Sequence, residues 1–381
     1  MIPYGKHSIV DADIEAVVDV LENHNITQGS KVIAFEIALA KYCQSNHCVT
    51  TNSGSSALHV ACLAAGVEKG DLVWTVPNSF VASANCAVQC GADVDFVDID
   101  AETRNVDVNL LEQKLLQAEV TGRLPKVVVV VHFSGLSCEM QKIWQLAKRY
   151  GFYVIEDAAH ALGAQYQGHP VGSCKFSHMT ILSFHPVKTI TSAEGGAVTC
   201  NDPVIHRKLK LYANIGITRD HGLFVGQHFE PWVYEQQVLG CNYRLSDVHA
   251  VLGLSQLQRV RELVSARTGW VAKYFEHLTD LPLKLPVVDN ENPSAWHLFV
   301  VEVLQHDRLE TFNKLRDLGV GVNVHYIPIH TQPFYQGLGF KWGDFPVAEQ
   351  YYQNAITLPL FPTMSESQFE HVISSLRKVL T

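Results

Sequence analysis

No block of five or more basic residues occurs anywhere in this chain, and its formal net charge is -9 with a pI near 6.1. That balance excludes a dedicated nucleic-acid binder. An anionic ligand would need a local cationic pocket instead, for which Lys31, Arg219 and Arg244 are candidate sources. Missing too is any apolar run close to the ~20 residues that span a bilayer. The longest β-branched run, 127–131, is strand-sized. The opening Met1-Ile2-Pro3-Tyr4-Gly5-Lys6 lacks the apolar core of a signal peptide, so no membrane partner and a cytoplasmic location are expected. The nine cysteines are odd in number and scattered through apparent helices and strands. Cys43, His47 and Cys48 have no second ligand pair at metal-like spacing, so reduced thiols and no metal are expected. Internal repeats, low-complexity tracts and Gly/Ser linkers are lacking. No G-x-G-x-x-G follows an early strand and no Walker pattern occurs, which argues against a dinucleotide or P-loop site.

What is present is a chain of 381 residues, 47% hydrophobic, able to bury a large core. Continuous apolar runs alternate with helical spacing. Strands are expected at 47–50, 72–76, 94–99, 126–132 and 154–157, with helices between them. Apolar runs without alternation mean strands covered on both faces, hence largely parallel. A helix over about 246–264 is expected to lead from a large domain, 1–265, to a smaller one, 266–381. The latter should hold strands at 296–303 and 322–326. Residues 220–235 show no period and read as a loop over the site.

Three segments carry candidate chemistry. Lys188 lies on a tight connection between apolar strands, with Pro186 before it and Gly195-Gly196 after. A lysine among apolar neighbours loses its charge easily, and a neutral amine attacks carbonyls. A partly buried structural lysine is the alternative. Upstream, the apolar strand Phe152-Tyr153-Val154-Ile155 ends in Glu156-Asp157-Ala158-Ala159-His160, presenting a carboxylate at its C-terminal end. Earlier still, Ser53-Gly54-Ser55-Ser56 is a small-residue turn opening a helix, suited to a phosphate or simply an N-cap. A carboxylate and a later lysine are the pair that pyridoxal phosphate (PLP) needs. The lysine carries the aldehyde, and the acid keeps the ring nitrogen protonated.

Taken in this order, these segments resemble the fold-type I PLP enzymes, and within them the DegT/DnrJ/EryC1/StrS sugar aminotransferases. The resemblance runs from Pro3 to the last helix. It implies an α/β fold with a mostly parallel central sheet, flanking helices and a smaller C-terminal α+β domain. It implies catalysis by Lys188 and Asp157. The cofactor would be held by Gly54, Ser55, Ser56, Phe80, Asp157, Ala159, His160, Ser183, Lys188 and Asn242. The substrate would meet Thr27, His185, Arg219, Tyr326 and His330. Phe80 and His160 read equally as core residues, and Asn242 as a helix cap. By resemblance, Asn242 reaches the phosphate of a neighbouring subunit, so a homodimer with shared sites is expected. The lysine segment and Pro3-Tyr4-Gly5 look most like the members serving pseudaminic acid biosynthesis. These use a UDP-linked 2-acetamido-4-keto-6-deoxy sugar and glutamate. The alternatives within reach are a 3-keto sugar aminotransferase, a sugar dehydratase or a non-enzymatic PLP-binding regulator. A dehydratase of this family replaces the lysine by histidine, and Lys188 is present.

Overall fold

The computed structural model describes residues 1–227 and 230–381. Its centre is a seven-stranded sheet of β1 (His47–Thr51), β2 (Leu72–Thr75), β3 (Asp93–Phe96), β4 (Val127–Val131), β5 (Tyr153–Asp157), β6 (Met179–Ser183) and β7 (Gly196–Cys200), in the order β1-β7-β6-β5-β4-β2-β3. Only β7 runs against its neighbours. β4 is five valines in a row, all buried. Val127 and Val129 enter one apolar cluster while Val128 and Val130 enter another. That split is what a strand covered on both faces requires. One face is covered by α3 (Gly54–Ala64), α4 (Ala82–Gln89) and α7 (Pro203–Ala213), the other by α5 (Val108–Thr121) and α6 (Met140–Tyr150).

Helices α1 (Asp11–Asn23) and α2 (Ser30–Cys43) pack on α8 (Asp247–Leu257). The buried Asp247 carboxylate accepts from Gly29 N at 2.7 Å and Lys31 N at 2.8 Å, serving the unpaired amides that open α2. The helix expected over 246–264 is instead two. α8 ends at Gln258–Arg259, and α9 (Val260–Leu278) then runs unbroken through position 265. The C-terminal sheet pairs Leu283–Lys284, Phe299–Val303 and Ala355–Leu358, all antiparallel. The expected strand at 322–326 does not form. Asn323 makes a single bridge to Thr357, and its side chain accepts from Val324 N at 2.9 Å, turning the chain away. A buried ion pair, Arg104 to Glu302 at 2.5 Å, joins this sheet to the loop that follows β3.

Of the loop expected at 220–235, His228 and Phe229 lie outside the described residues. The remainder is not featureless. Ile217–Thr218 pairs with Glu235–Gln236, and the Glu235 carboxylate accepts from Val225 N and Gly226 N at 2.8 and 2.6 Å. Among the described residues no helix is long and apolar enough to cross a membrane, and no group of three or more His, Cys, Asp or Glu could hold a metal ion.

Candidate active site

The C-terminal ends of β4, β5 and β6 lie side by side, with Val131 opposite Asp157 and Asp157 opposite Ile181. All three residues line a cavity of about 380 Å³. Clefts at this edge of a parallel sheet are where such folds bind ligands. The N-terminus of α3 points into it through Gly54 and Ser55. The turn sits hard against the sheet. A Cβ on Gly196 would lie 2.4 Å from Ser53 O and 2.7 Å from Gly54 N, and one on Gly54 would lie 2.9 Å from Ser183 Cβ. Glycine at both positions lets the α3 amides and the Ser183 hydroxyl share one corner. Ser56 does not join them. Its hydroxyl donates to Asn52 Oδ1 at 2.6 Å, inside the turn, and its amide donates to the Ser53 cap.

Asp157 is buried at the cavity floor. Its carboxylate accepts from Ser83 Oγ at 2.6 Å and Ala159 N at 3.2 Å, and Ser83 is backed by Ser79 Oγ at 2.8 Å. Lys188 lies in the same cavity on the β6–β7 connection, where its amide donates to His185 O. Burial pulls its amine down from 10.5 to about 8, although the negative charge of Asp157 opposes the fall. Such an amine is substantially neutral in mildly alkaline water.

Three histidines surround it. Burial, and then the charge of Lys188, hold His160 and His297 well below the ordinary imidazole range. The same two causes bring His325 down to about 3. His160 Nε2 meets Tyr326 Oη at 3.1 Å, while its buried Nδ1 has no partner. Phe80, 56% exposed, stands at the mouth with its ring 6.4 Å from that of Tyr326.

The cavity thus gathers Gly54, Ser55, Phe80, Asp157, Ala159, His160, Ser183, His185, Lys188 and Tyr326 from the sequence-based set. It does not gather the rest. His330 is wholly buried elsewhere, with Nε2 2.8 Å from Glu349 Oε1, so it is a structural residue rather than a substrate ligand. Thr27 and Arg219 are exposed and outside the cavity; Thr27 bridges to Ser246, and Arg219 lies over the Tyr234 ring at 5.4 Å. Asn242 is exposed and caps nothing, since Ser246 takes the N-cap of α8.

Ser83, His297 and His325 line the site without having been singled out, and Tyr4 and Glu194 join them from the segments that carried the resemblance. Ser79 and Ser83 stand four residues apart across the start of α4. His297 carries no local signal, because it reaches the site only through the packing of the C-terminal sheet.

These residues suit PLP. A helix N-terminus with glycines in tight contact accepts a phosphate, a buried carboxylate faces the floor, an amine of lowered pKa stands near it, and an unpartnered histidine nitrogen is left beside them.

Comparison with known proteins agrees. Residues 7–377 match the DegT/DnrJ/EryC1/StrS aminotransferase family. The UDP-4-amino-4,6-dideoxy-N-acetyl-beta-L-altrosamine transaminase of Campylobacter jejuni is 34% identical over 391 residues, covering 100% of this chain and 98% of that protein. The Helicobacter pylori aminotransferase PseC, involved in pseudaminic acid biosynthesis, superposes with TM-score 0.90 at 29% identity, covering 100% and 99% of the two chains. Spr1654 of Streptococcus pneumoniae, described as a sugar aminotransferase and solved in its PMP form, gives the same score, identity and coverage. The chain therefore belongs to the DegT/DnrJ/EryC1/StrS family and is a fold-type I, PLP-dependent sugar aminotransferase.

Proposed function

We propose that this enzyme aminates C4 of a UDP-linked 2-acetamido-4-keto-6-deoxy hexose with L-glutamate as donor, in the making of pseudaminic acid or another surface glycan. The observation that carries amino transfer is the presence of Lys188 and Asp157 in one cavity with the N-terminus of α3. The similarity to the Campylobacter transaminase over its whole length supports the substrate.

When bound, PLP supplies the electron sink that lets a C–H bond beside an amine break. The α3 amides, with the hydroxyls of Ser55 and Ser183, would hold its phosphate. Phe80 and Ala159 would pack against its ring, and His160 would meet the ring oxygen. Asp157, fixed by Ser83 Oγ and Ala159 N, would face the ring nitrogen and favour its protonated form. Lys188 Nζ would hold the cofactor's aldehyde, and it is the group placed to move a proton between the donor's Cα and the acceptor carbon. His185 and Tyr326 face the sugar from the cavity wall, with Thr27 and Arg219 further out. Asn242, exposed and outside the cavity of its own chain, serves the neighbouring subunit's phosphate in a cytoplasmic homodimer.

The test is direct. Enzyme with PLP, L-glutamate and the UDP-linked 4-keto sugar should release 2-oxoglutarate and a 4-amino sugar identified by NMR. Turnover of a dTDP-linked 3-keto sugar, with none of the UDP compound, would refute the substrate.

A further inference from the structure

Two hydroxyls on the wall of the cavity, those of Ser79 and Ser83, are buried at the opening of α4. Serines at such a place ordinarily cap the helix, each satisfying an unpaired amide. Neither hydroxyl does so here. The N-cap is Val81, which makes no side-chain bond, and the Ser83 amide donates to Phe80 O at 3.2 Å. The two hydroxyls instead meet each other at 2.8 Å, and Ser83 Oγ donates to Asp157 Oδ2 at 2.6 Å. The other carboxylate oxygen takes the Ala159 amide at 3.2 Å.

Proton counting fixes the direction of this chain. The negative charge of Asp157 bears on Lys188, and an ionised carboxylate only accepts. A hydroxyl has one proton to give, and Ser83 gives its own to Asp157. In its contact with Ser79 it therefore accepts, and Ser79 is the donor. The chain runs one way, Ser79 to Ser83 to Asp157, and each bond polarises the next. The final bond has the short length of a hydroxyl on a charged acceptor.

We propose that Ser83, backed by Ser79, is a positioning residue for amino transfer that weakens Asp157 as a base, so that the proton between this carboxylate and the ring nitrogen of PLP stays on nitrogen. A hydrogen bond given to a carboxylate stabilises its charged form and lowers its affinity for a proton. Without Ser83, Asp157 would keep one donor, the Ala159 amide, and would compete harder for that proton. A ring nitrogen without its proton is a poorer electron sink. Ser83 acts on no reacting atom; its effect passes through Asp157. Asp157 must face the ring nitrogen, as proposed above, for this to hold, whereas the identity of the sugar does not enter.

The full-length protein is loaded with PLP carrying nitrogen-15 in its ring, and that nitrogen is observed by NMR at neutral pH. Its chemical shift reports directly whether it carries a proton. The unaltered protein should show a protonated nitrogen. Ser83→Ala should move the signal toward the unprotonated position, Ser83→Cys, with a poorer donor, less far, and Ser79→Ala least. In single turnovers with L-glutamate, the maximal rate of Ser83→Ala should fall on the order of tenfold. Its half-saturating concentration should change little, because only the chemical step draws on the electron sink. Thermal unfolding and PLP titration identify any variant that loses its fold, and the remaining variants then carry the comparison. A nitrogen signal identical in the unaltered protein and every folded variant would overturn the proposal while leaving Asp157 in its role. An unprotonated nitrogen in the unaltered protein would overturn both.

Discussion

The lowered pKa of Lys188 makes a quantitative prediction about cofactor loading. With the amine at about 8, about a quarter of it is neutral at pH 7.5. An ordinary lysine at 10.5 would be neutral in only about one molecule in a thousand. The cavity thus raises the reactive form a few hundred-fold at a pH where solvent lysines are inert. Apo-protein mixed with PLP in a stopped-flow instrument should show a visible-band rate that climbs with pH and levels off near pH 8. Borohydride trapping and peptide mapping should then find the label on Lys188. Asp157→Asn removes the one charge that raises the Lys188 pKa, so its plateau should begin at lower pH while its turnover falls sharply. A rate rising tenfold per pH unit up to pH 10 would refute the argument, because it would mean a lysine that behaves as if in water.

Two further outcomes follow, one from the proposed homodimer and one from the geometry. Lys188→Ala and Asn242→Ala proteins, each inactive, should regain activity on mixing, because one of the two shared sites in a heterodimer is intact. No recovery after demonstrated subunit exchange would place Asn242 outside the site. Gly196→Ala sets a Cβ against the backbone of Ser53 and Gly54, neither of which is a flexible side-chain end. It should cost about 1–3 kcal/mol in thermal or denaturant unfolding and weaken PLP retention tenfold or more; unchanged PLP titration would contradict the cradle drawn here.

Sequence patterning served best where one residue type decides one local structure. The valines of β4 could only be a strand buried on both faces, and Asp157 could be placed at the end of β5 because the apolar run stops there. It served less well where a residue's partner is distant in the chain. Nothing near His330 announces Glu349, and Thr27-Gln28-Gly29 owes its shape to Asp247 rather than to its own preferences. The break between α8 and α9 falls at Gln258–Arg259, where no glycine or proline marks it. The expected strand at 322–326 had the right residue types but only one bridging position beside Ala355–Leu358. His297 and His325 join the cavity only after the C-terminal sheet has docked on the larger one.

β7 has a consequence for how this scaffold changes over time. It begins where β6 ends, so the chain leaves and re-enters the sheet at neighbouring points, with Phe184 N donating to Gly195 O across the stem. No crossover helix hangs on the residues between. Phe184 and Ile190 pack toward α2 and α8, and Thr189, Thr191 and Ser192 are buried as well. The segment 184–195 is a hairpin that carries the reactive lysine on a short, buried stem. Exposed positions such as Ala193 and Glu194 are where this hairpin can vary, while its buried Thr189, Thr191 and Ser192 tie the reactive amine to the rest of the molecule.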